Sequence, residues 1–474
     1  MSDPIFNTPK CFLNKKRKHH ILVTTLTEKG CDTWLKSQPA SIKTLVSETG
    51  FKARSGQIIV VRNAKGRAEK VFTGVRGPLS IYDLASTADS LMKSLSGEAL
   101  EEISFEIDTK GLKKEEIVSA HIGWALACYR FDAFRGNGRR LPALLWAPKT
   151  DKARVNAFVE NICMLRNLVN MPSNNMGPEE VEKAARNLAT PHKAVISVTK
   201  GATLDKEFPM VAAVGNSSPR APRLIDLKWG NAKHPKLTLV GKGVCFDTGG
   251  LDIKPSASMR TMKKDMAGAA HTLALAGLIM SLKIPVRLRV IIPAVENAVS
   301  GTSFRPGDIF TSRKGLTIEN TNTDAEGRLI LSDALTLASE EKPDLIIDFA
   351  TLTGSARTAL GQEIPAMFSN NDKLARQLQD ISMQAEDPLW QMPLWSPYNR
   401  HNDSSVADLQ NSAGIPGDLI YSALFLQNFL VGKPDWVHLD IFAWESSGKP
   451  GRAQGGLDTG LRAAFAFIED RYGR

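Results

Sequence analysis

The segment Asn322-Thr323-Asp324-Ala325-Glu326-Gly327-Arg328-Leu329 places two carboxylates two residues apart, with an arginine two residues further on. In a turn, that spacing lets both acids enter one pocket. A cation beside them suits a metal site that also handles an anion. A second cluster lies upstream: Gly241-Lys242-Gly243-Val244-Cys245-Phe246-Asp247-Thr248-Gly249-Gly250, then Lys254, then Asp265. Together the clusters supply four acids, two lysines and an arginine among glycines, the donor inventory of a two-metal hydrolytic site. Taken singly, each residue has an ordinary reading. Asp265 could be a charge at a helix N-terminus, Asp324 a turn residue, Lys242 and Lys254 surface lysines. From the chemistry alone both readings stay open, and only the joint occurrence favours a metal.

Other motifs are weaker. Gly241-Lys242-Gly243 lacks the spacing of a phosphate-binding loop, and Phe246 stands where a dinucleotide fingerprint needs glycine. Ser197-Val198-Thr199-Lys200 matches a nucleophile pattern by chance, inside an expected strand and without companion motifs. The histidines avoid the acidic cluster except His271, whose apolar helical surroundings mark it as a core residue. A carboxylate-rich, histidine-poor site favours Mn²⁺, Mg²⁺ or Zn²⁺.

These residues need a scaffold. From about Asn170 onward, strands and helices alternate. The expected strands are Met210–Val214, Leu237–Val240, Val286–Pro293, Leu345–Phe349 and Trp436–Ile441. The expected helices are Pro178–Leu188, Met266–Leu282, Leu329–Glu340, Lys373–Ala385 and Leu419–Leu430. Such alternation predicts an α/β fold with a mostly parallel central sheet and helices on both faces. Lys242 and Asp247 then follow one strand, Asp324 and Glu326 lie in the loop after Leu316–Glu319, and Thr351-Leu352-Thr353-Gly354 follows Leu345–Phe349. Open α/β sheets bind ligands at that rim, beyond the carboxyl ends of their strands.

The 474 residues exceed one ordinary core. The expected division is a smaller N-terminal α/β accessory domain at 1–149, a linker helix at 150–170 and a larger catalytic domain at 171–474. In the first domain Gln57–Val61 reads as a strand and Glu115–Tyr129 as a helix. Of the net charge of +10, the first 150 residues carry +9, from 24 basic and 15 acidic side chains. That excess fits either a solvated basic surface or affinity for nucleic acid, the first being preferred. Five scattered cysteines, none in a CxxC pair, argue against a disulfide framework and for a reducing compartment. The start of the chain lacks an apolar signal core, and Leu273–Leu282 is too short to span a bilayer, so a cytoplasmic protein with no membrane partner is expected.

Taken in order, the blocks Val240–Gly250, Ile253–Ser256, Met262–Ala270, Asn322–Leu329 and Ala350–Gly354 resemble the leucyl (cytosol) aminopeptidase family, the M17 metallopeptidases. The similarity runs from about Arg166 to Arg474. It implies a metal-dependent aminopeptidase that hydrolyses the N-terminal residue from peptides with a free N-terminus. Asp247 and Glu326 would bridge two divalent ions, Mn²⁺ or Zn²⁺. Lys242 and Asp265 would complete the tighter site and Asp324 the exchangeable one. Lys254 would stabilise the oxyanion, and Arg328 would hold a bicarbonate acting as general base. Met262, Asn322, Thr351, Leu352 and Gly354 would contact substrate, and the assembly would be a homohexamer. The segments His438–Trp444 and Ala413–Asp418 depart from the family pattern, which leaves the side-chain preference open. Two rivals are a two-metal phosphoesterase and a nucleic-acid-binding protein with a secondary peptidase role.

Overall fold

The strand Leu345–Ala350 is apolar at nearly every position and buried throughout, the signature of a strand covered on both faces. In the computed structural model, which describes residues 3–95, 97–135 and 140–473, it lies inside a nine-stranded sheet. The order from one edge is Trp390–Gln391, Ala366–Ser369, Asp435–Asp440, Leu345–Ala350, Lys236–Gly241, Arg287–Asn297, Arg223–Trp229 and Val195–Lys200; Gly243–Asp247 pairs separately with Arg287–Asn297. The run from Asp435–Asp440 to Arg287–Asn297 is parallel, as is the pairing of Gly243–Asp247. Ala366–Ser369 on one side and Arg223–Trp229 on the other run antiparallel to it, and Val195–Lys200 pairs antiparallel with Arg223–Trp229. The sheet is thus mostly parallel, as expected.

Strand alternation sends neighbouring side chains to opposite faces. Phe349 stacks on His271 of the helix Ala267–Ser281, with ring centroids 5.4 Å apart. Ile346 and Ala350 instead join the core built with Leu329, Ile330 and Ala334 of the helix Glu326–Glu340. Helices therefore cover both faces. His271 is the core residue its surroundings implied: it is fully buried, and its Nδ1 lies 2.7 Å from the carbonyl of Ala267.

One expected element is wrong in kind. Met210–Val214 is not a strand but part of the helix Pro209–Gly215. A short apolar run has no period that separates strand from buried helix. Pro209 decides the matter at the first helical position, where its fixed φ helps and its missing N–H is not needed. The helix then sinks Met210, Val211 and Val214 into the same core. Two positions also shift. Asp247 ends a strand of its own, Gly243–Asp247. Glu326 is not in a loop but opens the helix Glu326–Glu340, so that helix begins three residues before Leu329.

By contact density the chain forms two units, Met1–Cys163 with Ser446–Gln454 and Met164–Glu445 with Gly455–Arg474. The helix expected at 150–170 spans Lys152–Asn170. The first unit holds a six-stranded sheet ordered Phe12–Leu13, Ala143–Leu145, Ile103–Ile107, His19–Leu26, Ala68–Gly74 and Ile58–Arg62, all parallel except the last pair. Its helices Ile81–Ser94 and Lys114–Cys128 approach so closely that a Cβ on Gly123 would lie 1.8 Å from the Ile81 carbonyl oxygen. Arg452 is tied to this unit through Tyr82, whose hydroxyl is 3.0 Å from Arg452 Nε. All five cysteines are buried and free. No helix among the described residues is long and apolar enough to cross a membrane.

Within the second unit, Arg166 (1% exposed) pairs with Asp458 (2% exposed), Nε and Nη2 lying 2.9 and 2.7 Å from Oδ1. Removing one member of a buried pair strands the other charge, which typically costs about 3–5 kcal/mol. Asp458→Ala should therefore lower unfolding stability by roughly that amount in denaturant titration. A loss below about 1 kcal/mol, the range of exposed pairs, would show that the guanidinium finds another partner.

Candidate active site

Each acid of the two clusters is delivered by a different local structure. Lys242 follows the strand Lys236–Gly241, and Asp247 is the last residue of Gly243–Asp247. Asp265 sits in the 3₁₀ turn Met262–Met266, which runs into the helix Ala267–Ser281. Asp324 lies in the turn Thr323–Ala325, capped by Asn322, whose Oδ1 accepts the Asp324 N–H at 2.8 Å. Gly250 makes the bend after Asp247 with φ +64°, and a Cβ there would lie 2.9 Å from Asn297 Oδ1. Lys242, Asp247, Lys254, Asp265, Asp324 and Arg328 all line one cleft of about 610 Å³. Met262, Asn322, Thr351, Leu352 and Gly354 line it too, while Glu326 lies 1% exposed among the others.

Asp247, Asp265 and Glu326 can each place an oxygen within 4.8 Å of the other two. Lys242 Nζ is 2.7 Å from Asp265 Oδ2, 2.9 Å from Glu326 Oε1 and 2.9 Å from the Thr351 carbonyl. Lys254 Nζ is 2.8 Å from Asp247 Oδ2 and also pairs with Asp324. Asp265 Oδ2 is buried, and Lys242 is its ion-pair partner.

The electrostatics are unbalanced. Burial would push both lysines down, but the carboxylates outweigh it and hold Lys242 and Lys254 above the ordinary lysine range. Burial, then the neighbouring Asp247, push Glu326 up to about 8 and also raise Asp324. Four acids crowd around two lysines in a largely buried volume, and divalent cations are what such a donor set accommodates. Arg328, 5% exposed, donates from Nη1 to the Asn411 carbonyl at 2.6 Å, while its Nε has no hydrogen-bond partner among the described residues. A buried guanidinium with a spare donor at a cleft wall fits a small oxyanion.

Two residues that shape the site, Asn297 and Asp440, were not singled out in the sequence, and Thr351 was singled out only as a substrate contact. Asn297 ends the strand Arg287–Asn297, and its Nδ2 donates to Asp247 Oδ1 at 2.9 Å and to the Thr323 carbonyl at 3.1 Å. Thr351 Oγ1 donates to Asp265 Oδ1 at 2.6 Å. Asp440 accepts from the Leu352 and Thr353 amides at 3.0 and 3.1 Å and so fixes the loop after Leu345–Ala350. An asparagine or threonine at a strand end is common, and only its partners across the fold show its use.

Comparison with known proteins bears on this arrangement. Residues 163–464 match the catalytic domain of the cytosol aminopeptidase family, and residues 21–147 match the M17 aminopeptidase N-terminal domain. A probable cytosol aminopeptidase of Syntrophotalea carbinolica is 43% identical over 366 residues, 73% of each chain. One from Rhodopseudomonas palustris is 35% identical over 422 residues, 85% of this chain and 84% of the relative. The crystal structure of the cytosol aminopeptidase from Coxiella burnetii superimposes with a TM-score of 0.91 at 43% identity, covering 98% of this chain and 99% of that one. The bottromycin maturation enzyme BotP in complex with Mn gives a TM-score of 0.84 at 30% identity, covering 95% and 99%.

A Cβ on Gly327 would lie 2.6 Å from Lys242 Cε and 2.7 Å from its Nζ. Lys242 is pinned at its tip, so it cannot step aside without losing Asp265 or Glu326. Disturbing a residue that supports a metal ligand typically costs about 10–100-fold in metal affinity. Gly327→Ala should weaken Mn²⁺ binding by about that factor in calorimetry, with circular dichroism unchanged. Wild-type affinity in the variant would show that Lys242 is not held by the packing of Gly327.

Proposed function

The chain belongs to the cytosol aminopeptidase (M17) family and is a metal-dependent aminopeptidase, and from that premise we propose that it works with two divalent cations, manganese or zinc, held by Lys242, Asp247, Asp265, Asp324 and Glu326. The observation that carries this reading is the buried convergence of Asp247, Asp265 and Glu326 within 4.8 Å. Bound there, the cations would polarise the scissile carbonyl and supply an activated water.

The chain's own groups do the rest. Asp247 and Glu326 are central to the cluster and would face both cations. Lys242 and Asp265, in contact at 2.7 Å, would complete one site and Asp324 the other. As a ligand, Lys242 must give up its proton, which adjacent dications favour by reversing the field of the carboxylates. Lys254 sits at the cleft wall between Asp247 and Asp324, placed to meet the oxyanion as the carbonyl becomes tetrahedral. No histidine lines the cleft among the described residues. The spare Nε of Arg328 supports a bound bicarbonate in the role of general base. A free α-amino group ligating a cation would confine hydrolysis to the first peptide bond. The active form would be a cytoplasmic homohexamer, which sedimentation velocity can test.

Glu326→Ala should bring bound metal and peptidase activity towards zero together. A metallated and active variant would refute the ligand assignment. Lys254→Ala should lower kcat by roughly 10²–10³, the usual effect of losing one oxyanion donor, while metal content persists. In Arg328→Ala added bicarbonate should no longer stimulate activity. Near wild-type kcat in the Lys254 variant, or full bicarbonate stimulation in the Arg328 variant, would contradict the respective role.

A further inference from the structure

The cleft contains positive charge that the chemistry above does not use. Lys264 lines the cleft, is 5% exposed, and among the described residues its Nζ makes no hydrogen bond or ion pair. What it has is an aromatic neighbour, with Nζ 4.7 Å from the centroid of the Phe442 ring. The two acids that bear on it are engaged elsewhere. Asp265 contacts Lys242 and Thr351, and Asp440 accepts from the Leu352 amide and from Thr353. Arg357, on the helix Gly354–Leu360, also lines the cleft and places its Cζ 5.1 Å from the same ring. It too lacks an ion pair among the described residues. One ring thus positions two cations by cation–π attraction at the wall of the cleft. A buried ammonium without an anion is unfavourable, and an anionic group brought in by the substrate completes it.

We propose that Lys264, Arg357 and Phe442 form a subsite for a carboxylate of the peptide substrate. The inference rests on the aminopeptidase reading and adds a substrate class to it. The ring and the neighbouring Met262 and Leu352 pack the methylene portion of the substrate, while the two cations take its carboxylate. Two parts of a peptide offer that group close to the first peptide bond. One is the side chain of an N-terminal glutamate or aspartate; the other is the free C-terminus of a dipeptide. Arg357 presents a fork suited to carboxylate oxygens, and Lys264 adds a point charge beside it.

The test is kcat/KM for matched substrate pairs with the metal-loaded enzyme: glutamyl against glutaminyl p-nitroanilide, and leucylglycine against leucylglycinamide. A charge-assisted contact should favour the carboxylate member of one pair by about tenfold or more. Preference within the first pair assigns the subsite to the N-terminal side chain, and within the second to the dipeptide carboxylate. That ratio should collapse in Lys264→Met and in Arg357→Met, the latter on an exposed helix position. Ratios near one in the wild type, with leucyl substrates still cleaved, overturn the subsite and leave the aminopeptidase reading intact. A variant that lowers both members of each pair equally, with less bound metal, assigns Lys264 to the charge balance of the metal site and also overturns it. No cleavage of any of the four substrates removes the aminopeptidase reading and the subsite with it.

Discussion

Four carboxylates can share a buried volume only if cations share it with them, and the catalytic unit is organised around that constraint. Asp247 and Glu326 would repel each other in a medium where water does not screen them. Lys242 and Lys254 stand between them and their neighbours, each in contact with two acids. The fold has to supply positions from which six long side chains reach one point. Parallel strands do so because their carboxyl ends lie at one rim, and the loops leaving them diverge from a common edge. The glycines are part of the same solution. Lys242 fits beneath Glu326 because Gly327 has no side chain in its path.

How much of this was legible in the sequence differs by level. Long periodic elements were readable because burial on two faces or one stripe leaves a pattern, as in Leu345–Ala350 and Pro178–Ala189. Met210–Val214 was misread because five apolar residues fit strand and helix equally, and only Pro209 and the surrounding core decide. Within the site, the acids stood out because carboxylates among glycines are unusual. The part of Lys242 was not derivable from residue type, since a lysine ligand requires a field that only the assembled site provides. Asn297 and Asp440 were invisible for a similar reason, and Thr351 was read only as a substrate contact: their work is to hold another side chain or amide, and that partner is distant in sequence.

The basic first unit poses a separate question of charge. Part of its excess is engaged locally, in ion pairs such as Lys16 with Glu106 at 3.0 Å and Arg54 with Glu28 at 3.0 Å. Exposed pairs of this kind are worth little, so they shape the surface more than they stabilise the fold. Nothing in the chemistry of the second unit draws on that charge, since residues 1–150, with their net +9, supply none of the cleft's lining. The peptidase reading and the fate of the basic surface are therefore independent.

The lysines also bear on how such a site can be built before it is used. A cluster of bare acids would oppose folding until metal arrived, as in small domains that are unfolded without their ion. Here Lys242 and Lys254 already offset part of the negative charge, and the amides of Asn297 and Gly249 hold Asp247 in place at 2.9 and 2.8 Å. Two protein donors therefore orient Asp247 within the cluster. The same charges set a cost on loading, because a dication entering beside Lys242 must compete with an ammonium group already bound to Asp265 and Glu326. Glu326 moderates that cost. Burial, and then the neighbouring Asp247, raise its carboxyl to about 8 despite both lysines, and a cation beside it would favour its ionised form. Partial neutralisation by the lysines and incomplete satisfaction of the acids thus coexist in one cluster.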